Sequence, residues 1–176
     1  MGNVILGLLL LSPMTLYTLN KQFEAGISLF YSASLGSIRT AVLGLLDKGL
    51  VTVADSVENG RSKKTYSITD DGRVAFEKWM LAPLDHGDLE TTALAKTYFL
   101  GLLPVDGRRA VLEGILARTT ADEEALQATA RELDAMQLPE QYREIFGFQR
   151  LTLDYGLQAH ANGRAFFERA LRELDG

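Results

Sequence analysis

Apolar positions recur at the helical period over most of this chain, with one interruption by two short strand-like runs around an Asn-Gly turn. Residues 3–11 (NVILGLLLL) read as a helix buried on most of its surface, and Pro13 ends it, having no amide hydrogen to give and a ring that clashes with the preceding turn. Thr15 is placed to cap a second helix, 16–24, where Leu16, Leu19, Asn20 and Phe23 recur at helical spacing and Ala25-Gly26 closes the run. A connector, 27–33, carries Phe30 and Tyr31. Ser34 then caps a third helix that ends at Lys48-Gly49. It sets Leu35, Ile38, Val42, Leu45 and Leu46 on one face, and the small or short Ser37, Thr40, Gly44 and Asp47 on the other, with Arg39 on the flank. Strands are expected over 51–57 and 64–68, flanking Glu58-Asn59-Gly60-Arg61-Ser62, since Asn and Gly tolerate the positive φ of a hairpin turn. Thr69 caps a fourth helix, which runs to Trp79 and Met80 before Pro83. Helix, strand, basic turn, strand is the element order of a winged helix-turn-helix.

The remainder reads as helices. One covers 88–103, with Leu89, Ala93, Tyr98, Phe99 and Leu102 among its apolar positions. From 106 to about 136 a thin stripe of Val111, Ile115, Leu116, Leu126, Leu133 and Met136 has the look of coiled-coil-like packing. The acidic run Asp122-Glu123-Glu124 suits the first turn of a helix, where the dipole favours it. One or two further helices cover 142–174, and Gly147, Gly156 and Gly163 within them either weaken the helix or let another helix come close.

Composition limits the functional classes. The chain has 176 residues, 47% of them hydrophobic and 23% charged, enough for one domain or two small ones with a real core. With no cysteine, disulfides and thiolate zinc sites are excluded, in agreement with a reducing cytoplasm. His86 and His160 are isolated, without a second histidine at ligand spacing, and Asp85 and Asp88 beside His86 read as loop. No nucleophile motif, phosphate-binding loop or dinucleotide fingerprint is present, so no enzymatic activity and no cofactor are expected. VILGLLLL is eight apolar residues against the roughly 20 a membrane span needs, and neither a signal peptide nor a lipidation motif fits the chain's start. The net charge of −5 is uneven: residues 1–80 hold eight Lys and Arg against seven Asp and Glu, residues 81–176 ten against sixteen. A near-neutral first part with local basic spots beside an acidic second part suits a division in which only one part touches phosphate.

In its order and spacing of motifs the chain resembles the PadR-like transcriptional regulators. The resemblance rests on VILGLLLLSPMTLYTLNKQF at the start, SLGSI opening the third helix, LLDKGLV ending it and KKTYSITDDGR after the turn. It covers residues 3–80 well and the helical remainder loosely, where the family carries a dimerisation region. At two places the chain departs from the family pattern: Arg39 stands where an aromatic residue is usual, and Leu43 and Gly44 where basic residues are common.

The resemblance implies a mainly α fold, with a winged helix-turn-helix DNA-binding domain in 1–82 and a helical dimerisation and effector domain in 83–176. It implies a cytoplasmic homodimer that reads palindromic double-stranded DNA, a repressor in family terms, responsive to a small-molecule effector. The chemistry of the residues agrees. Ser34, Ser37 and Thr40 give the third helix a small polar face for close approach to base edges, and Arg39 offers a fork for a base or a phosphate. Lys21 and Lys48 would flank the DNA backbone, and Arg61, Lys63 and Lys64 would meet phosphates or the minor groove from the wing, a reading preferred to that of a merely solvated charged hairpin. Trp79, Tyr98 and Phe99 are candidates for an aromatic effector pocket between subunits, although core packing is the commoner role of any one aromatic. The rival from another class is a protein–protein adaptor that uses the acidic helices as its surface.

Overall fold

The computed structural model describes residues 1–58, 61–84, 89–137 and 139–174, with only the backbone of Glu58 and Arg61. Its helices are α1 (Gly2–Leu11), α2 (Leu16–Ala25), α3 (Leu35–Asp47), α4 (Asp70–Leu81), α5 (Leu89–Tyr98), α6 (Val105–Asp134) and α7 (Arg143–Leu174). Short 3-10 turns lie at Ile27–Leu29, Leu100–Leu102 and Glu140–Tyr142, and β1 (Val51–Glu58) pairs antiparallel with β2 (Arg61–Ile68). The chain divides into two compact units, Met1–Gly107 and Arg108–Gly176.

The first unit is built around α1, whose Val4 to Leu9 are all buried, as its unbroken apolar run requires. Gly7 permits the closest approach: a Cβ there would lie 2.8 Å from the Phe99 ring and 2.9 Å from that of Phe76. Phe76 and Phe99 meet edge to face at 5.8 Å. Pro13 ends α1 as expected, and the next residue joins the sheet, with Met14 and Tyr66 exchanging backbone hydrogen bonds of 3.0 and 2.8 Å. A single bridging residue between two helices carries no periodic signal, which is why the sequence pattern does not show it.

The end of α3 is fixed by backbone chemistry. Gly49 takes φ 68°, the left-handed conformation that glycine adopts freely. Its amide donates to the Leu46 carbonyl at 3.0 Å and that of Leu50 to the Leu45 carbonyl at 3.0 Å, the paired bonds of a Schellman closure. Thr69 ties this end to α4. Its hydroxyl donates to the Gly49 carbonyl at 2.8 Å and accepts from the Gly72 amide at 3.0 Å.

In the second unit α6 and α7 run antiparallel. Arg150 bonds to Asp134 at 3.0 Å and Arg164 to Glu123 at 2.7 Å. Near these ties the glycines let the helices come close: a Cβ on Gly156 would lie 3.6 Å from Leu126, and one on Gly163 3.5 Å from Thr119. Gly147 has open space instead. α7 is one continuous helix. The acidic run 122–124 lies in the middle of α6, not in a first turn, because nothing in the preceding residues breaks the helix. Glu123 is buried there against Arg164, and Asp122 pairs with Arg118 at 2.9 Å.

Candidate nucleic-acid interface

α2 and α3 form the helical part of the site. Thr15 caps α2, its hydroxyl accepting from the Thr18 amide at 3.1 Å. Buried Leu19 and Phe23 seat the inner face of α2, leaving Tyr17 and Lys21 outward. Tyr17 is 70% exposed, and the Lys21 ammonium stands 5.9 Å from its ring centre. Lys21 is also bonded to Glu24 at 2.9 Å, which raises the Lys21 pKa and lowers that of Glu24. Part of the Lys21 charge is therefore spent within α2.

α3 is anchored by buried Ile38, Val42 and Leu45. Its start is a reciprocal capping box: Ser34 Oγ accepts from the Ser37 amide at 3.2 Å, and Ser37 Oγ accepts from the Ser34 amide at 2.9 Å. Ser37 Oγ also donates to the Ser34 carbonyl at 2.8 Å, and the Thr40 hydroxyl donates to the Gly36 carbonyl at 3.0 Å. The three hydroxyls expected to meet DNA are thus engaged within the helix itself. Arg39 is exposed and, among the described residues, has no ion-pair partner; the same holds for Lys48 at the C-cap. Leu35, assigned to the apolar stripe by its spacing, is 54% exposed, because the first turn of α3 lies beyond the core. Leu43, off the stripe, is 48% exposed on the outer face.

The wing is longer than its sequence signal. β2 begins at Arg61, so Ser62 and Lys63 are paired strand residues and not turn. Alternate strand residues point to opposite faces, which separates the adjacent Lys63 and Lys64. Lys64 faces Asp55 in the register and pairs with it at 4.0 Å, on the side of Tyr66; Lys63 lies opposite Ser56 on the other side. The Asn59-Gly60 tip and the Arg61 side chain lie outside the described residues, as do Asp85, His86 and Asp88.

The aromatic candidates separate likewise. Trp79 lines a cavity of about 450 Å³ in the first unit, together with Phe30, Tyr31, Thr91 and Thr92. Phe99 packs into the core against Gly7 and Phe76, and Tyr98 packs on Phe30 at 5.8 Å between ring centres. Among the described residues no group of His, Cys, Asp or Glu is placed to hold a metal ion, and no helix is long and apolar enough to cross a membrane.

Two short helices, the second clamped at both ends, followed by a two-stranded antiparallel ribbon, define a winged helix-turn-helix. The first unit carries a PadR-like domain: residues 5–78 match the transcriptional regulator PadR-like family. Residues 91–175 match the virulence activator alpha C-terminal family. No curated protein matches the chain. Similar solved structures include Bacillus subtilis PadR in complex with operator DNA, at 23% identity over 98% of each chain and a TM-score of 0.46. A PadR-like transcriptional regulator of Bacillus cereus is 21% identical over 99% of this chain and 97% of that one, with a TM-score of 0.42. The Vibrio cholerae virulence activator AphA is 26% identical over 99% and 97%, with a TM-score of 0.41.

Proposed function

We propose that this chain is a sequence-specific DNA-binding repressor that acts in the cytoplasm as a homodimer on a palindromic operator. The observation that carries this reading is the clamped α3. Its start is held by the Ser34–Ser37 box and its end by Gly49 and Thr69, while Arg39 and the outer face stand clear of the core. Such a rigid helix with a free face is what major-groove reading needs. Arg39 is the leading base or phosphate contact, and Lys48, Lys21, Lys63, Lys64 and Arg61 are the backbone contacts. Residues 1–82 would carry DNA binding and residues 83–176 dimerisation and effector response.

A second copy of the chain is the proposed partner of α7. Ile145, Phe148, Leu151 and Tyr155 recur at helical spacing and are all more than half exposed. An isolated pair of helices has no second layer on which to bury such a face, and two-fold pairing covers it with the same face of another copy. The Trp79 cavity is proposed to take a small effector with an aromatic body, matched to Phe30, Tyr31 and Trp79, and polar groups for Thr91 and Thr92. Its effect would be to shift the balance between DNA-competent and incompetent arrangements of the dimer.

The deciding experiment is selection of fragments from the protein's own genome by the purified chain, followed by binding titrations over a salt series. Phosphate contacts make affinity fall steeply with salt. Sequence-selective retention with a steep salt slope supports the reading. Failure to retain any duplex at low salt overturns it in favour of the adaptor role, for which the ion-paired Lys21 is the specific observation.

A further inference from the structure

We infer that the outer face of α3 reads thymine, through the methyl group of Thr40 and the side chain of Leu43, with Leu35 at the start of the helix as an accessory contact. The inference rests on the DNA-reading role proposed above and names what that face recognises.

Direct readout in the major groove uses either hydrogen bonds to base edges or apolar contact with the thymine 5-methyl group. α3 has spent the donors of its three hydroxyls on itself. Ser34 and Ser37 bond to each other's backbone, and the Thr40 hydroxyl donates to the Gly36 carbonyl. With its only hydroxyl hydrogen turned to the backbone, Thr40 has no donor left for a base edge and presents its methyl beside the oxygen. Leu43 is its i+3 neighbour on the exposed surface, and Leu35 is exposed one turn before Arg39. None of the three is among the buried residues that hold the unit together.

The surroundings let DNA come near. A Cβ on Gly44 would meet nothing within 4 Å, and one on Gly36 only the Ser34 hydroxyl at 3.8 Å. The face is therefore low enough for base edges to reach the flanking methyls. Arg39 supplies the cation that a purely apolar patch would lack, and it is free of ion pairs among the described residues. Apolar side chains beside a lone guanidinium on a short, capped helix suit thymines next to a guanine or a phosphate. They suit a protein partner less well, since a protein groove would have to cover Arg39 and bring an acid to it.

The test uses the full chain and a duplex obtained by selection. Each thymine of the half-site is replaced in turn by deoxyuridine, which removes the 5-methyl group and leaves every hydrogen-bonding atom in place. One or two positions per half-site are expected to lose about fourfold in affinity each, the worth of one buried methyl-sized group. Leu43→Ala, at an exposed position, should keep the melting temperature and abolish the loss at one of those positions. Equal affinity for all deoxyuridine duplexes overturns the thymine assignment while leaving DNA binding intact. Deoxyuridine sensitivity that Leu43→Ala, Thr40→Ser and Leu35→Ala all leave unchanged overturns the assignment to α3. Absence of any duplex binding overturns the underlying reading together with this one.

Discussion

The Cα of Gly72, in the first turn of α4, lies against the carbonyl oxygen of Leu50. A Cβ there would collide with that oxygen and come within 2.7 Å of Ile68 Cγ1. The same oxygen accepts the Thr69 amide at 3.1 Å, so it cannot swing away without losing that bond. Gly72→Ala should destabilise the first unit by about 3 kcal/mol, the upper range for overpacking against a rigid neighbour. Urea unfolding followed by circular dichroism checks it, and an unchanged midpoint would show that this contact is not tight.

Ser34 can be separated into a structural and a recognition role. As the N-cap of α3 with a full capping box, its loss in Ser34→Ala should cost about 1 kcal/mol of stability. Ser34→Asp keeps a cap acceptor and should restore the stability. If it also abolishes DNA binding while the melting temperature recovers, the serine lies at the DNA surface, since a carboxylate there repels phosphate.

The wing prediction follows from the register. Lys63 and Lys64 project from opposite faces of the ribbon, and Lys64 faces Asp55 across it. Replacing Arg61, Lys63 and Lys64 together by Ala should weaken binding to all duplexes alike and flatten the salt dependence by up to about three phosphate contacts per subunit. Binding titrations between low and physiological salt measure both, and an unchanged slope in the triple variant would exclude the wing from the interface.

Much of this unit was legible because its signals are local. Pro13, Thr15, Ser34, Gly49 and Thr69 act within a few residues of themselves, and all five stand at the ends of elements as their chemistry requires. Tertiary placement was not legible. Nothing in the period of α3 distinguishes exposed Leu35 from buried Ile38, because the core does not extend under the first turn. The Met14 bridge needs Tyr66, 52 positions away. The Arg164–Glu123 tie likewise joins residues 41 apart in sequence. The engagement of the Ser37 and Thr40 hydroxyls depends on rotamers, which composition does not reveal.

Acid sensitivity of the second unit should depend on Asp134. Its bonds to Arg150 hold the carboxyl below its ordinary range. In acid the unfolded chain then binds more protons at this group than the folded one, so stability from the pair is complete above about pH 4, the ordinary carboxylate value. It is lost as pH falls through the lowered folded value. Asp134→Asn should show a shallower loss of stability between about pH 5 and 2 than the parent chain. Glu24 is lowered as well, but it is untouched by this change and so cancels in the comparison. Parallel acid-unfolding curves would show that the pair contributes nothing.

Arg39 gives the sharpest test of the site. It precedes Lys48 as the one basic residue of α3, and it is exposed. Three roles predict three outcomes for Arg39→Ala. If the guanidinium reads a guanine, the change costs about 1–3 kcal/mol on the selected site and relaxes preference at one base pair per half-site. If it holds a phosphate, affinity for selected and random duplexes falls together and the salt slope drops by about one. If its stem only covers the edge of the core, the melting temperature falls and sequence preference survives. The absence of an ion-pair partner for Arg39 among the described residues favours a DNA contact over a structural one. Titrations on selected and random duplexes beside a melting curve separate the three. Unchanged affinity for both duplexes at unchanged stability would remove Arg39 from the site.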